Sequence, residues 1–152
     1  SGIVSLGGNV QALGCKPDGS KWRVAVQDPN DEGENFAVVE IADEAVITSG
    51  GYQRYFEEDG ATYHHIIDPA TGHPRKTELA GVTVFSGQSI TGEIETGRLF
   101  FAGQPLPNWT HDHPDVMGAV FVDQARHVQV VGLKPDQVRI IDHSYDVQFI
   151  ND

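Results

Sequence analysis

One cysteine, one methionine, and ten Lys+Arg against 22 Asp+Glu are the scarcities that bound this 152-residue sequence. A single Cys15 excludes an internal disulfide, and any metal site must draw on ligands other than thiolate pairs. Its expected place is inside, as a small buried hydrophobe without reactivity. The formal charge of -12 repels phosphate backbones and anionic lipid headgroups. No basic cluster larger than Arg75-Lys76 interrupts that charge, so nucleic acid and membrane surfaces are poor partners. Long apolar runs are missing as well. Stretches such as 116–122 fall far below the ~20 residues a spanning helix needs, and no charged-then-apolar leader opens the sequence. The expectation is a soluble chain without a membrane span.

What is present suits one domain over 1–152, because single domains commonly run to ~100–200 residues. A hydrophobic content of 39% argues against disorder. Seventeen Gly and eight Pro cut the sequence into short segments, which favours sheets joined by tight turns. Apolar residues at Ile3, Val4, Leu6, Val10, Ala12 and Leu13 predict strand over 3–15, with Gly7-Gly8 as a bulge or close-approach point. Residues 22–26 and 36–41 alternate and, with an acidic solvated loop at 30–35 between them, predict a meander. Strand continues at 46–48 and 52–56, and Glu57-Glu58-Asp59-Gly60 turns a hairpin into 62–67. The β-branched run 81–85 predicts a strand covered on both faces. One helix is predicted over 89–101, with Ile90, Ile94 and Phe101 near one face and acid near its start. In it Gly92 and Gly97 each cost roughly 1 kcal/mol relative to Ala. Segments 117–123 and 127–131 predict a terminal hairpin. The fold class is α+β, a mainly antiparallel sheet with one principal helix packed on it.

Polar chemistry concentrates at 63–74. Strand alternation turns His64 and His65 opposite ways, and the turn after them offers the Thr71 hydroxyl and main-chain amides to an anion. The same residues also suit a plain turn beside surface histidines. A further cluster, His111-Asp112-His113 with Asp115, reads either as a zinc or nickel site or as a solvated loop.

The strings 48–56 (Thr-Ser-Gly-Gly-Tyr-Gln-Arg-Tyr-Phe) and 64–74 (His-His-Ile-Ile-Asp-Pro-Ala-Thr-Gly-His-Pro) resemble the ApbE family of FAD:protein FMN transferases. The resemblance covers nearly the whole chain. It implies that FAD is a substrate whose pyrophosphate is cleaved, that FMN passes to a Ser or Thr of a flavin-acceptor protein, and that AMP leaves with the help of magnesium. It implies His65 as the catalytic histidine at the pyrophosphate. It implies Gly8, Asn9, Ser49, Gly50, Thr71 and Gly72 as further flavin-nucleotide contacts, with Asp68 either a contact or only the start of a turn. It implies a bacterial protein, often of the cell envelope or periplasm. Two departures accompany these matches. The family's metal-holding Asp and Thr, four residues apart on a helix, read here as Gly92 and Thr96, so only Thr96 remains as a ligand. The chain also has the C-terminal half of the usual family length. Its isolated form is therefore expected to be inactive, and to self-associate or to pair with the missing half.

Overall fold

The run Leu79–Ser86 is apolar and β-branched without a break because both its faces are covered. The computed structural model describes residues 1–52 and 54–151. In chain order the strands are β1 (Gly2–Leu6), β2 (Asn9–Leu13), β3 (Trp22–Gln27), β4 (Asn35–Ile41), β5 (Ala45–Gly50), β6 (Tyr55–Glu58), β7 (Ala61–His64), β8 (Ile67–Asp68), β9 (His73–Pro74) and β10 (Leu79–Ser86). Helix α1 (Ser89–Ala102) and the single turn α2 (Trp109–Asp112) follow, then β11 (Val116–Asp123), β12 (His127–Val131), β13 (Val138–Ile140) and β14 (Asp146–Ile150). A seven-stranded sheet runs β1-β2-β5-β10-β11-β12-β14, antiparallel except where β14 lies parallel to β12.

On one face of that sheet packs a second sheet, β13-β4-β3, around Val26, Phe36, Val39, Phe85 and Val120. On the other face lie α1 and α2, around Val82, Val84, Leu99, Phe100, Trp109 and Phe121. Successive residues of β10 point to opposite faces, so Phe85 enters the first core and Val84 the second. The α+β class and the principal helix agree with expectation. The hairpin β6–β7 does too, since its turn falls at Asp59 and Gly60, both at positive φ.

Five features differ from the sequence expectation. Segment 3–15 is not one bulged strand but a hairpin, because Gly7 and Gly8 both take positive φ (60° and 96°) and reverse the chain. The pair β3–β4 forms its own sheet across the core instead of extending the first strand as a meander. The hairpin of β11 and β12 is not terminal, since β13 and β14 each add an edge. Cys15 is exposed rather than buried, because it follows the end of β2 in the turn that leaves the sheet.

The fifth difference concerns α1. Ile90 and Ile94 are each 62% exposed, and the buried stripe is Gly92, Glu95, Thr96, Leu99 and Phe100. Gly92 and Thr96 carry little apolar surface, so counting apolar side chains overlooks them; their small size lets the helix come close to β5 and β10. No acid falls in the first turn, so Glu93 and Glu95 lie past the N–H groups they were expected to complement. Gly103 ends the helix at φ 75°, donating its N–H to Leu99 O (3.0 Å).

Candidate functional site

Three segments meet around a cleft of about 520 Å³: the β1–β2 turn (Gly7, Gly8), the end of β3 with the loop after it (Gln27, then Glu32 and Gly33) and the β5–β6 connection (Tyr52, Arg54). Such a volume suits a nucleotide-sized ligand. The β3–β4 loop is tied down from inside. Asp28, 1% exposed, accepts hydrogen bonds from the Tyr145 hydroxyl and from Asn30 N (2.8 Å). Asn30 Nδ2 donates to Asp123 O (2.9 Å). Burial first, and then the bond to Asp28, push the Tyr145 phenol up to about 12. Its folded value lies above its unfolded one, so this contribution to stability is complete at neutral pH and is lost only as pH rises from about 10 through about 12.

The β5–β6 connection shows why Gly50-Gly51 precedes Tyr52. A Cβ on Gly50 would sit 2.5 Å from Tyr52 Cε1, and one on Gly51 would sit 2.9 Å from His64 Cδ2. Both glycines are therefore flat surfaces on which an aromatic ring lies. His64 turns inward and has no free nitrogen: Nε2 donates to Arg75 O (3.1 Å), Nδ1 accepts from Ile66 N (3.3 Å), and the ring meets the Phe100 edge at 6.1 Å. Its neighbour is different. His65 is exposed, its backbone N–H donates to Arg54 O (3.1 Å), and its Nδ1 lies 3.2 Å from the same carbonyl. A carbonyl only accepts, so Nδ1 carries the proton and the Nε2 lone pair is left available.

Asp68 acts as a turn-former. Its Oδ1 accepts from Ala70 N (2.9 Å), its main-chain carbonyl accepts from Gly72 N (2.8 Å), and its carboxylate meets Arg75 Nη1 at 3.3 Å. Thr71 and Gly72 are exposed at the tip of the β8–β9 hairpin, where Thr71 Oγ1 accepts from His73 N (3.3 Å).

The oxygen donors of α1 and its neighbours have partners elsewhere. Asn9 accepts from Ser89 Oγ (2.9 Å) and donates through Nδ2 to Glu93 Oε2 (3.3 Å). Thr96 is fully buried and its hydroxyl donates to Glu93 O (3.1 Å). Glu95, 6% exposed, accepts from Trp109 Nε1 (2.7 Å), with Arg98 and His113 each at 3.6 Å. His113 is itself held: Nδ1 donates to Trp109 O (2.7 Å), and Nε2 accepts from Arg98 Nη1 (2.7 Å). Among the described residues no three His, Cys, Asp or Glu converge on a point. Magnesium wants several hard oxygens in octahedral array, and Thr96 does not fit that role, being fully buried with its hydroxyl committed to Glu93 O.

A profile of the ApbE family matches residues 1–121. The chain belongs to the ApbE family. A Treponema pallidum protein named FAD:protein FMN transferase is 36% identical over a stretch covering 93% of this chain and 42% of its own length. A Klebsiella pneumoniae (strain 342) protein of the same name is 34% identical, covering 95% of this chain and 44% of its own. The crystal structure of the ApbE protein of Thermotoga maritima superposes with a TM-score of 0.73 at 29% identity, over 84% of this chain and 41% of that one. The flavinyl transferase ApbE of Pseudomonas stutzeri, in its apo form, gives 0.59 at 34%, over 80% and 37%. The chain thus spans about two-fifths of the length of these relatives.

Against the positions singled out by ApbE resemblance, the fold joins some and separates others. Gly8 lines the cleft; His65 is not among its lining residues and is joined to it only by its bond to the carbonyl of Arg54, which is one of them. Ser49 lies on β5 opposite Val82, Gly50 lies beneath Tyr52, and Asn9 is bonded to α1. Sequence reasoning assigned no ligand contact to Gln27, Glu32, Gly33, Tyr52 or Arg54, reading Arg54 as a surface partner of local acid, yet all five line the cleft. The acidic loop 30–35 reads as plain solvated loop unless its glycine, at φ 95°, is weighed as a built turn. A second, smaller groove of about 270 Å³ lies on β11, β12 and β14. There His127 Nδ1 meets Asp123 Oδ2 at 2.8 Å, and this hydrogen bond holds the imidazole above the ordinary histidine range.

Proposed function

We propose that this chain carries the flavin-nucleotide cleft and the proton-accepting histidine of an FAD:protein FMN transferase. The names of its relatives support the reaction class, and the orientation of His65 carries the reading. In this reaction the hydroxyl oxygen of an acceptor Ser or Thr attacks the phosphorus on the FMN side of FAD. A P–O bond forms to the acceptor, the bond from that phosphorus to the bridging oxygen breaks, and the bridging oxygen leaves with AMP. The acceptor proton passes to His65 Nε2, whose lone pair is free because Nδ1 is committed to Arg54 O. General-base assistance of this kind contributes ~10²–10⁴-fold.

Gly7 and Gly8 have no Cβ to hold a phosphate away, and Arg54, which lines the same cleft, supplies positive charge. Asn9, Ser49, Gly50, Thr71 and Gly72 stand outside the cleft lining and enter this reading only by family resemblance; His65 also stands outside the lining and is tied to it by its bond to Arg54 O. No step is routed through a metal. The uncharged β1–β2 hairpin exposes Ile3, Val4, Leu6 and Leu13, an edge that proteins usually cover. We assign its cover to the rest of a full-length transferase or to a second copy. A second reading, flavin binding without catalysis, is favoured by the committed oxygen donors of α1.

Fusion behind the upstream portion of the Treponema pallidum protein provides the test. The fusion is expected to label a Thr-containing acceptor with flavin, visible in-gel, and to release one AMP per label. The isolated chain is expected to release no AMP above a protein-free control. FAD binding by the fusion without labelling would select the non-catalytic reading, and absence of both would overturn the two together.

A further inference from the structure

We propose that Tyr145 is a positioning residue of the cleft, acting through Asp28 and Asn30 to hold the β3–β4 loop that brings Glu32 and Gly33 to it. This rests on the reading that the cleft takes the flavin nucleotide. Asp28 directly follows Gln27, which ends β3 and lines the cleft. Its main-chain N–H donates to Glu34 O (2.9 Å), closing the loop, and the residue is 1% exposed. A carboxylate so buried is costly unless donors surround it. The donors are Asn30 N (2.8 Å) and the Tyr145 hydroxyl, with Arg126 Nη1 at 4.0 Å. The same hydroxyl accepts from Asn30 Nδ2 (3.1 Å), which also donates to Asp123 O (2.9 Å). One phenol, 115 positions beyond Asn30, therefore grips the loop at two residues. Residues 31–35 are exposed, so the inward hold of the loop lies at Asp28 and Asn30. Tyr145 is itself fixed: its ring lies 5.4 Å from that of Phe36 and 5.1 Å from the Arg126 guanidinium. Asp142 (3.2 Å) and the Ser144 hydroxyl (2.8 Å) fasten that guanidinium in turn.

Phenylalanine at 145 keeps the ring and removes the hydroxyl. Asp28 then regains a donor only from water, and water reaches it as the loop opens. Native-state amide exchange and FAD titration of wild type, Tyr145→Phe, Asn30→Ala and Trp109→Phe make the test. Trp109→Phe is the control, because it removes a buried hydrogen bond of the same kind from the other core, beneath α1. In Tyr145→Phe the Asp28 and Glu34 amides are expected to exchange ~10-fold faster relative to those of Val82 and Val120, the effect of one buried partner lost. Asn30→Ala leaves Asp28 and Tyr145 joined and is expected to loosen the same amides, so the test survives a poorly folding Tyr145→Phe. The Kd for FAD is expected to rise ~10-fold in both loop variants and to stay at the wild-type value in Trp109→Phe. Loss of stability alone does not move affinity well below the melting temperature, so that contrast is the mark of positioning. Loop amides that exchange no faster than in wild type overturn the latch. A loosened loop with unchanged FAD affinity, or an equal loss of affinity in Trp109→Phe, overturns the positioning role. No saturable FAD binding by wild type is instead failure of the cleft reading, and the exchange arm then decides the latch by itself.

Discussion

Alanine at His65 is expected to lower FMN transfer by the fused chain ~10²–10⁴-fold while leaving FAD binding largely intact. The side chain is exposed, and its bond to Arg54 O is a local one, so folding should hardly respond. His65→Gln separates two roles. Glutamine can still donate a hydrogen bond to a phosphate but cannot take a proton at neutral pH. Proton acceptance predicts that Gln matches Ala in kcat with little change in KM. Phosphate contact predicts that Gln keeps most of the rate and that Ala mainly raises KM. Single-turnover AMP release with a saturating acceptor distinguishes these outcomes, and full activity of His65→Ala would remove the residue from the chemistry.

The second large effect belongs to the core beneath α1. Trp109→Ala is expected to cost ~3–5 kcal/mol, the range for deleting a buried large aromatic. Trp109 is 2% exposed and is the largest fully buried side chain. It also gives Glu95 Oε2 its hydrogen bond at 2.7 Å, with the carboxylate 6% exposed. Trp109→Phe keeps most of the apolar bulk and removes only the donor. It is expected to cost ~1–3 kcal/mol, the penalty for leaving a buried acceptor short of a partner. Urea unfolding of the three proteins reads both numbers, and an alanine variant no weaker than the phenylalanine variant would contradict the packing half of the argument.

The elements legible in sequence are those whose local chemistry and burial agree. Asp59-Gly60 specifies a tight hairpin turn and forms one, and residues 81–85 lack polar alternation because both faces are buried. The misread elements depend on distant partners. Nothing near β3 and β4 says that they face the main sheet across a core, since half-buried alternation looks the same in either sheet. The parallel pairing of β14 with β12 depends on chain far along, and β13 is only three residues long. The face of α1 is hidden in the sequence because the first half of its buried stripe is Gly92, Glu95 and Thr96, with no apolar side chain of any size, while Ile90 and Ile94 point outward.

The site divides in the same way. His65 and the glycine pair are recognisable as a string because family motifs are local, whereas the cleft joins three segments from residue 7 to residue 54 that only the fold brings together. Gly92 is the sharpest case. By helix propensity it is a defect; its reason lies 45 residues upstream, in Ile47.

Titration of FAD into the ¹⁵N-labelled chain, followed amide by amide, tests the central claim most directly. If the cleft takes the flavin nucleotide, shifts should concentrate at Gly7, Gly8, Gly33, Tyr52, Arg54 and His65, and should leave the groove at Asp123, His127 and Gln148 unmoved. Shifts confined to that second groove, or no saturable shift at any of the six positions, would contradict it.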